Sequence, residues 1–346
     1  MEYRVFGKSG VRVSRVAFGG IPIMRLTVSE AAAVVTGVID LGVNFIDTAY
    51  GYGDSEEKIG RAIKDFPREK LIIASKSPAA DKKTFNEQLE TSLQRLGTDY
   101  IDFYQHHNIG SEEKYKRIMG SDGAHEGMQA AVQAGKVRFP AFSSHSLDVS
   151  EKVLTSYDGF YAVQLPFNFV DNAAAERLIP LAREKQVGFI AMKPLGGGML
   201  DDAELCFRYL NQFDSIIPDP GIERIEEMKE IIGIIERRSA LTDEEQKRIE
   251  AVRNTMQGVW CHRCQYCMPC PQDIKITPVL SAGSMAKRMP KETIFSNLDA
   301  AMKKTLDCTG CRECVERCPY DLDIPHLLEK QREHWEEFAQ TGVWPV

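Results

Sequence analysis

At 346 residues, with 43% apolar and 27% charged residues, the chain can bury a sizeable core and is too long for one average domain. A net charge of -7 without a lysine or arginine block argues against nucleic acid or an anionic membrane surface as a partner. Met1 runs into Glu2, Tyr3 and Arg4 with no apolar leader, and no stretch approaches the length of a membrane span, so a cytoplasmic protein is expected.

In chain order, "MEYRVFGKSGVRVS" reads as a hairpin. Short β-type runs then alternate with amphipathic stretches up to about residue 235. The strand candidates are "SRVAF", "NFID", "LIIAS", "YIDFYQ", "VRFPAF", "YAVQL", "GFIAM" and "SIIP". Between them "SEAAAVVTGVIDLG", "SEEKIGRAIKD", "KTFNEQLETSLQRLG" and "NAAAERLIPLAREKQ" read as helices, with Gly42, Gly97, Gly135 and Gly188 marking returns to strand. Eight β/α pairs in this span favour a closed parallel (β/α)₈ barrel over an open sheet. "LTDEEQKRIEAVRNTMQG", with Thr242 as N-cap and Glu245 at the capping-box position, is a polar helix leading out of the barrel. The domains are therefore expected at 1–240 and 241–346, the second small and mainly helical.

Chemistry in a parallel barrel sits where strands end. The second barrel strand ends at Asp47, with Tyr52 in the loop beyond; the third carries Lys76 and the fourth His106 and His107. Each alone is an ordinary turn or strand-end residue. Together they can act: a phenol can give a proton to a carbonyl oxygen, but its pKa of about 10 makes it a weak donor. A neighbouring ammonium lowers that value, and a carboxylate keeps the ammonium charged and aimed. An imidazole can then orient the carbonyl and polarise the developing alkoxide.

Eight of the nine cysteines lie between Cys261 and Cys318. In a chain with no secretory leader they read as metal or redox ligands rather than disulfides. Cys206, outside this group, reads as a small buried helix residue. "CHRCQYCMPCP" spaces Cys261, Cys264, Cys267 and Cys270 by two residues each; "CTGCRECVERCP" spaces Cys308, Cys311, Cys314 and Cys318 by two, two and three. The second is the bacterial 4Fe-4S pattern, in which the fourth cysteine reaches the other cluster, and the first departs from it by one residue. The crossed rule groups Cys261, Cys264 and Cys267 with Cys318, and Cys308, Cys311 and Cys314 with Cys270. Two Cys₄ zinc sites are the competing reading.

The segments "FIDTAYGYGDSE", "IIASK", "IDFYQHH", "GKVRFPAFSSHS", "VQLPFN" and "MKPLGGG" resemble, in order and spacing, the aldo-keto reductase family. With the cysteine runs, the chain is similar to ferredoxin-type members carrying a C-terminal 4Fe-4S dicluster segment. The resemblance implies an oxidoreductase with Asp47, Tyr52, Lys76 and, five residues beyond Asp102, His107 as the catalytic set; His106, of opposite strand parity, ranks second. It implies a nicotinamide dinucleotide with Ser143, Ser144 and Gln164 around the carboxamide, and Lys193, Pro194, Leu195 and Gly196 near the pyrophosphate. Gly20, Asp47, Met192, Gly221 and Arg224 complete the expected nucleotide contacts, and the helix after "IIPDPG" offers backbone N–H groups to the adenosine phosphates. Met192 stands where the family often stacks an aromatic, and Glu223 where a basic residue often grips the 2′-phosphate. Arg224 beside it makes NADP(H) the expectation, with NAD(H) as the alternative. The substrate would be a small carbonyl or alcohol, and the clusters would either exchange electrons with a redox partner such as a ferredoxin or stabilise the fold. The rival readings are an electron-transfer protein that uses the barrel as a scaffold and a nucleotide-sensing module. His145 is read as a loop residue near the cofactor.

Overall fold

The structure, a computed structural model, describes residues 1–345. It forms two compact units: Met1–Leu195 with Leu200–Leu241, and Gly196–Met199 with the chain from Thr242 onward.

The first unit opens with the antiparallel hairpin of β1 (Tyr3–Val5) and β2 (Arg12–Ser14). Eight parallel strands follow: β3 (Phe18–Gly19), β4 (Phe45–Asp47), β5 (Ile72–Ser77), β6 (Ile101–His106), β7 (Val137–Ser143), β8 (Ala162–Pro166), β9 (Gly188–Met192) and β10 (Ile216–Asp219). Each pairs with its neighbours in sequence order. The sheet closes on itself, because the Ala17 and Gly19 N–H groups donate to Pro218 O at 2.9 Å and Pro220 O at 2.8 Å. This is the (β/α)₈ arrangement.

The helices of this unit are α1 (Val28–Asp40), α2 (Ser55–Ile63), α3 (Lys82–Leu96), α4 (Glu112–Met119), α5 (Ala124–Gln133), α6 (Leu147–Ser156), α7 (Leu178–Glu184), α8 (Ala203–Leu210) and α9 (Ile225–Arg237). Their starts follow local chemistry. Thr27 and Glu30 form a reciprocal capping box on α1, and Asp81 accepts the Thr84 N–H at the start of α3. Two expectations are revised. The stretch from Asn172 is not one helix: Ala173–Ala175 is a 3₁₀ turn and α7 begins at Leu178, which leaves Pro180 in a first turn where its missing N–H costs little. Nor does Gly188 cap α7. Lys185 does so and Gln186 takes the positive φ of 53°, while a Cβ on Gly188 would lie 2.4 Å from the Phe6 ring.

That Phe6 ring plugs the bottom of the barrel. It meets Phe45 and Phe103 edge-on at 5.5 and 5.3 Å between ring centres, and joins Val13, Ala17, Ile72, Ala74, Ala141, Ala162, Ile190 and Ile217 in one buried cluster. Side chains alternate along a strand, so the residue two places beyond each of these also faces inward, one layer higher. This rule takes Phe45 to Asp47, Ala74 to Lys76, Phe103 to Gln105, Ala141 to Ser143, Ala162 to Gln164, Ile190 to Met192 and Ile217 to Asp219. An apolar floor therefore carries a polar layer at the end where the strands finish.

In the second unit, α10 (Asp243–Met256) starts at a Thr242–Glu245 capping box. Beyond the first cysteine run come α11 (Ile276–Leu280), α12 (Ala282–Ala286), α13 (Lys291–Lys304), α14 (Glu313–Glu316) and α15 (Ile324–Thr341). They enclose a core of Ile276, Val279, Ile294, Leu298, Met302, Leu328, Trp335, Phe338 and Trp344, which also takes in Cys267 and Cys314. Among the described residues no helix is long and apolar enough to cross a membrane.

Candidate active site and cysteine centre

Asp47 and Lys76 are buried side by side in the polar layer, where the Lys76 ammonium donates to Asp47 Oδ2 and to Thr48 O, the latter at 2.7 Å. Gln105 Nε2 donates to Asp47 Oδ1 at 3.3 Å, and Gln164 Nε2 reaches both Asp47 Oδ2 at 3.4 Å and Asp219 Oδ2 at 2.8 Å. Burial alone would lower the lysine's pKa, but the Asp47 carboxylate beside it is the largest opposing effect and the net shift is upward. Lys76 stays an ammonium, and its Nζ lies 5.1 Å from the centre of the Tyr52 ring.

The Tyr52 ring meets His107 edge-on at 5.8 Å, with the two planes 82° apart. Burial, assisted by Lys76, Lys114 and Lys193, pushes the His107 pKa down to about 3. Its imidazole is therefore neutral at physiological pH and can still hydrogen-bond. Asp47, Tyr52, Lys76 and His107, from three separate segments of sequence, thus meet at one end of the barrel. His106 does not join them. It points outward, with Nε2 3.2 Å from His125 Nδ1, whose Nε2 is in turn 2.8 Å from Tyr157 Oη. Burial holds His106 well below its ordinary pKa and His125 at about 4, so this chain of rings is neutral packing outside the barrel.

The residues expected around a nucleotide fall in two groups. Ser143 Oγ accepts the Asn108 N–H at 2.9 Å, Ser144 Oγ donates to Ile109 O at 2.7 Å, and the Gly20 N–H donates to Asp47 O at 2.8 Å. With Gln164 and Met192 these surround the Asp47–Lys76 pair. Lys193, with a positive φ of 56°, lies 3.0 Å through Nζ from His145 Nε2, and His145 Nδ1 is 3.3 Å from Asn108 Oδ1. His145 is thus held between Lys193 and Asn108. Pro194 and Leu195 follow on the same loop, and Gly196 begins the short segment grouped with the second unit. Gly221 closes the barrel beside Gly19, and a Cβ there would come within 2.8 Å of Pro22. Arg224 is the N-cap residue of α9; its guanidinium pairs with Glu227 at 2.8 Å, while Glu223 pairs with Arg25. The Glu227 carboxylate also accepts the N–H groups of Glu223 and Arg224 at 3.1 and 3.2 Å, so those two amides are already engaged.

A nicotinamide nucleotide fits this layer, because Gln105 Oε1, Gln164 Oε1 and Asp219 Oδ1 are buried acceptors with no hydrogen-bond partner among the described residues. Gln105 and Asp219 were absent from the sequence reading. The available signal was parity: each is a polar residue two places beyond an inward apolar one.

In the second unit the cysteines sort into two neighbourhoods. Burial, with Cys261, Cys264 and Cys318 nearby, pushes the Cys267 thiol up to about 12. A small cavity is lined by Cys270, Cys308, Cys311 and Cys314, with Ile274, Ile276 and Leu328 in its apolar wall. The last cysteine of each run therefore lies with the first three of the other, the donor set that a crossed pair of 4Fe-4S clusters needs. Among the described residues no three Cys, His, Asp or Glu side chains are gathered as a single bound ion would need. Cys206 is buried on α8, and burial raises its thiol to about 12.

Residues 15–205 match the aldo/keto reductase family. The chain belongs to that family. In this aldo/keto reductase, residues 260–323 match a 4Fe-4S dicluster domain, so an iron-sulfur module follows the reductase domain in sequence. The aldo-keto reductase YhdN of Bacillus subtilis is 28% identical over 218 residues, 58% of this chain and 64% of that protein. L-galactose dehydrogenase of Arabidopsis thaliana is 30% identical over 220 residues, 58% of this chain and 68% of that one. The aldo-keto reductase yakc [NADP(+)] of Schizosaccharomyces pombe is 32% identical over 213 residues, 55% of this chain and 61% of its own. The chain spans about six-tenths to two-thirds of the length of the curated relatives it matches. Among solved structures, the aldo-keto reductase AKR11C1 from Bacillus halodurans superposes with a TM-score of 0.63 at 24% identity, over 73% of this chain and 96% of that one. That likeness is one of fold.

Proposed function

We propose that this aldo/keto reductase interconverts a small carbonyl compound and its alcohol using NAD(P)(H), and that its C-terminal segment binds two 4Fe-4S clusters. The observation that carries the reading is the Lys76 ammonium held between Asp47 and Tyr52, with the Tyr52 ring against a neutral His107. A bound nicotinamide supplies the hydride that reaches the carbonyl carbon. Tyr52 donates its phenolic proton to the carbonyl oxygen, at a pKa lowered by Lys76. Asp47 keeps Lys76 charged and aimed, and His107 hydrogen-bonds the carbonyl oxygen and fixes its orientation. Ser143, Ser144 and Gln164 hold the carboxamide, with Gln164 Oε1 as an available acceptor. Gly20, Met192, Gly221 and the loop from Lys193 through Gly196 shape the remaining nucleotide contacts.

Arg25 and Arg224 neutralise Glu223 and Glu227, which removes the charge objection to a 2′-phosphate. That, and the NADP(+) in the name of the yakc relative, support NADP(H) over NAD(H). Cys261, Cys264, Cys267 and Cys318 would hold one cluster, and Cys308, Cys311, Cys314 and Cys270 the other. Once bound, the clusters would exchange single electrons with a carrier such as a ferredoxin or stabilise the fold of the segment. The functional domains are the reductase barrel, 1–240, and the ferredoxin-like segment, 241–346.

The test is an anaerobic screen of metabolite carbonyl compounds and alcohols with each nicotinamide, following nucleotide oxidation or reduction, beside a direct titration of NADPH and NADH. Turnover of a carbonyl with tighter NADPH binding is expected. Nucleotide binding without turnover on any substrate would favour the sensing module, and clusters without nucleotide binding would favour the scaffold reading.

A further inference from the structure

The polar layer of the barrel holds two carboxyl groups, Asp47 and Asp219, beside a single ammonium, and their surroundings are unequal. Asp47 is saturated with donors: Lys76 and Gln164 on Oδ2, Gln105 on Oδ1. Asp219 receives one, from Gln164 Nε2 on Oδ2, and in its protonated form hydrogen-bonds the Asp47 carboxyl; its Oδ1 is buried and accepts nothing from the described residues. That oxygen lies 3.1 Å from where a Cβ on Gly19 would sit, against the β3 backbone. The titratable groups facing Asp219 are Asp47 on β4 and Lys76 on β5, with Tyr52 reached through Lys76. Gln164 on β8, Gly19 on β3 and Met192 on β9, the register partner of Asp219, add no charge.

Two adjoining buried carboxyls that share one amide donor do not both ionise, and the one with fewer donors keeps the proton. We propose that Asp219 is a proton-holding positioning residue: as a neutral acid it leaves the Lys76 field directed at Tyr52, and loss of that proton weakens Tyr52 as an acid. The inference rests on the proposed role of Tyr52. In the ionised form a second negative charge stands beside Lys76, partly cancels its field at the phenol, and moves the Tyr52 pKa back toward its solution value. The proton goes to solvent, and no other bond changes. Burial and the neighbouring Asp47 also hold the Asp219 pKa well above the carboxylate range, the direction this geometry requires.

The consequence is an alkaline limb in carbonyl reduction that belongs to Asp219 and Tyr52 as a coupled pair. Asp219→Asn keeps the size of the group and fixes it in the uncharged state. The ratio of its kcat to that of the native holoenzyme should rise as pH increases, by about tenfold or more across the alkaline limb, because coupled groups interact by more than about one pK unit. A group that only packs would change kcat by the same factor at every pH, and a flat ratio overturns the proposal. A second readout needs no turnover. In holoenzyme labelled with carboxyl-¹³C aspartate, the resonance lost in Asp219→Asn should keep the shift of a protonated acid at pH values where a solvated aspartate, of pKa about 3.9, is fully ionised, and a carboxylate shift at those pH values would overturn the proposal. Should the Asn variant not fold, Asp219→Glu removes the same labelled resonance and makes the assignment. If no carbonyl is reduced at all, the reductase reading fails, while the resonance still decides whether Asp219 carries the proton.

Discussion

Replacing Lys76 by Met removes the one positive charge in the polar layer while keeping a side chain of similar length. Its Nζ lies 5.1 Å from the centre of the Tyr52 ring. At an effective dielectric constant of about 20, an ammonium and a phenolate about 5 Å apart interact by about 3 kcal/mol, which corresponds to about two pK units and sets the scale of the effect on the phenol. Tyr52 should become a weaker acid by about that much, and kcat for carbonyl reduction should fall by about a hundredfold, with little change in nucleotide affinity. Asp47 keeps its Gln105 and Gln164 donors but loses its ion partner, so stability should fall by about 3–5 kcal/mol, and turnover is best measured well below the lowered unfolding temperature. Tyr52→Phe removes the proton itself and should cost at least as much in kcat, about a hundredfold or more. Because both changes act on one proton transfer, the double variant should be scarcely slower than Tyr52→Phe alone. Multiplication of the two defects in the double variant, or native turnover in Lys76→Met, would refute this account of the site.

Three further outcomes follow from other parts of the molecule. Anaerobically purified protein should contain about eight irons with matching sulfide per chain and the broad brown absorbance of 4Fe-4S centres; about two zincs with no sulfide would overturn the cluster assignment. Cys318→Ala should abolish one cluster signal, that of Cys261, Cys264 and Cys267, in electron paramagnetic resonance, and retention of both signals would contradict the crossed ligand sets. Phe6→Ala should empty the barrel floor and destabilise the first unit by about 3–5 kcal/mol, seen as a lower midpoint in denaturant; an unchanged midpoint would show that the plug is dispensable.

The alternation of short apolar runs with amphipathic stretches made the barrel legible, because period two and period 3.6 are properties of backbone geometry and need no tertiary context. The same local rule separated His107 from His106, which turns outward to His125 and Tyr157. The cysteine runs were equally plain, since the spacing of the second is that of a bacterial 4Fe-4S motif and needs no tertiary context to be seen. Two local signals misled: apolar periodicity runs on through Glu176 and Arg177, where the chain breaks ahead of α7, and Gly188 is bare to admit Phe6, not to cap a helix.

Only closure of the barrel decided which strand ends share a layer. Nothing local in "IIPDPG" sets Asp219 beside Asp47, because the two meet through Gln164 and lie far apart in sequence. The balance of charge among Asp47, Lys76 and Asp219, the neutrality of His107 and the grouping of Cys270 with the later run and Cys318 with the earlier one arise from desolvation and proximity. Sequence fixed which side chains could face inward at each strand end; the electrostatics that give them their chemistry exist only once water has been excluded and the strands have met.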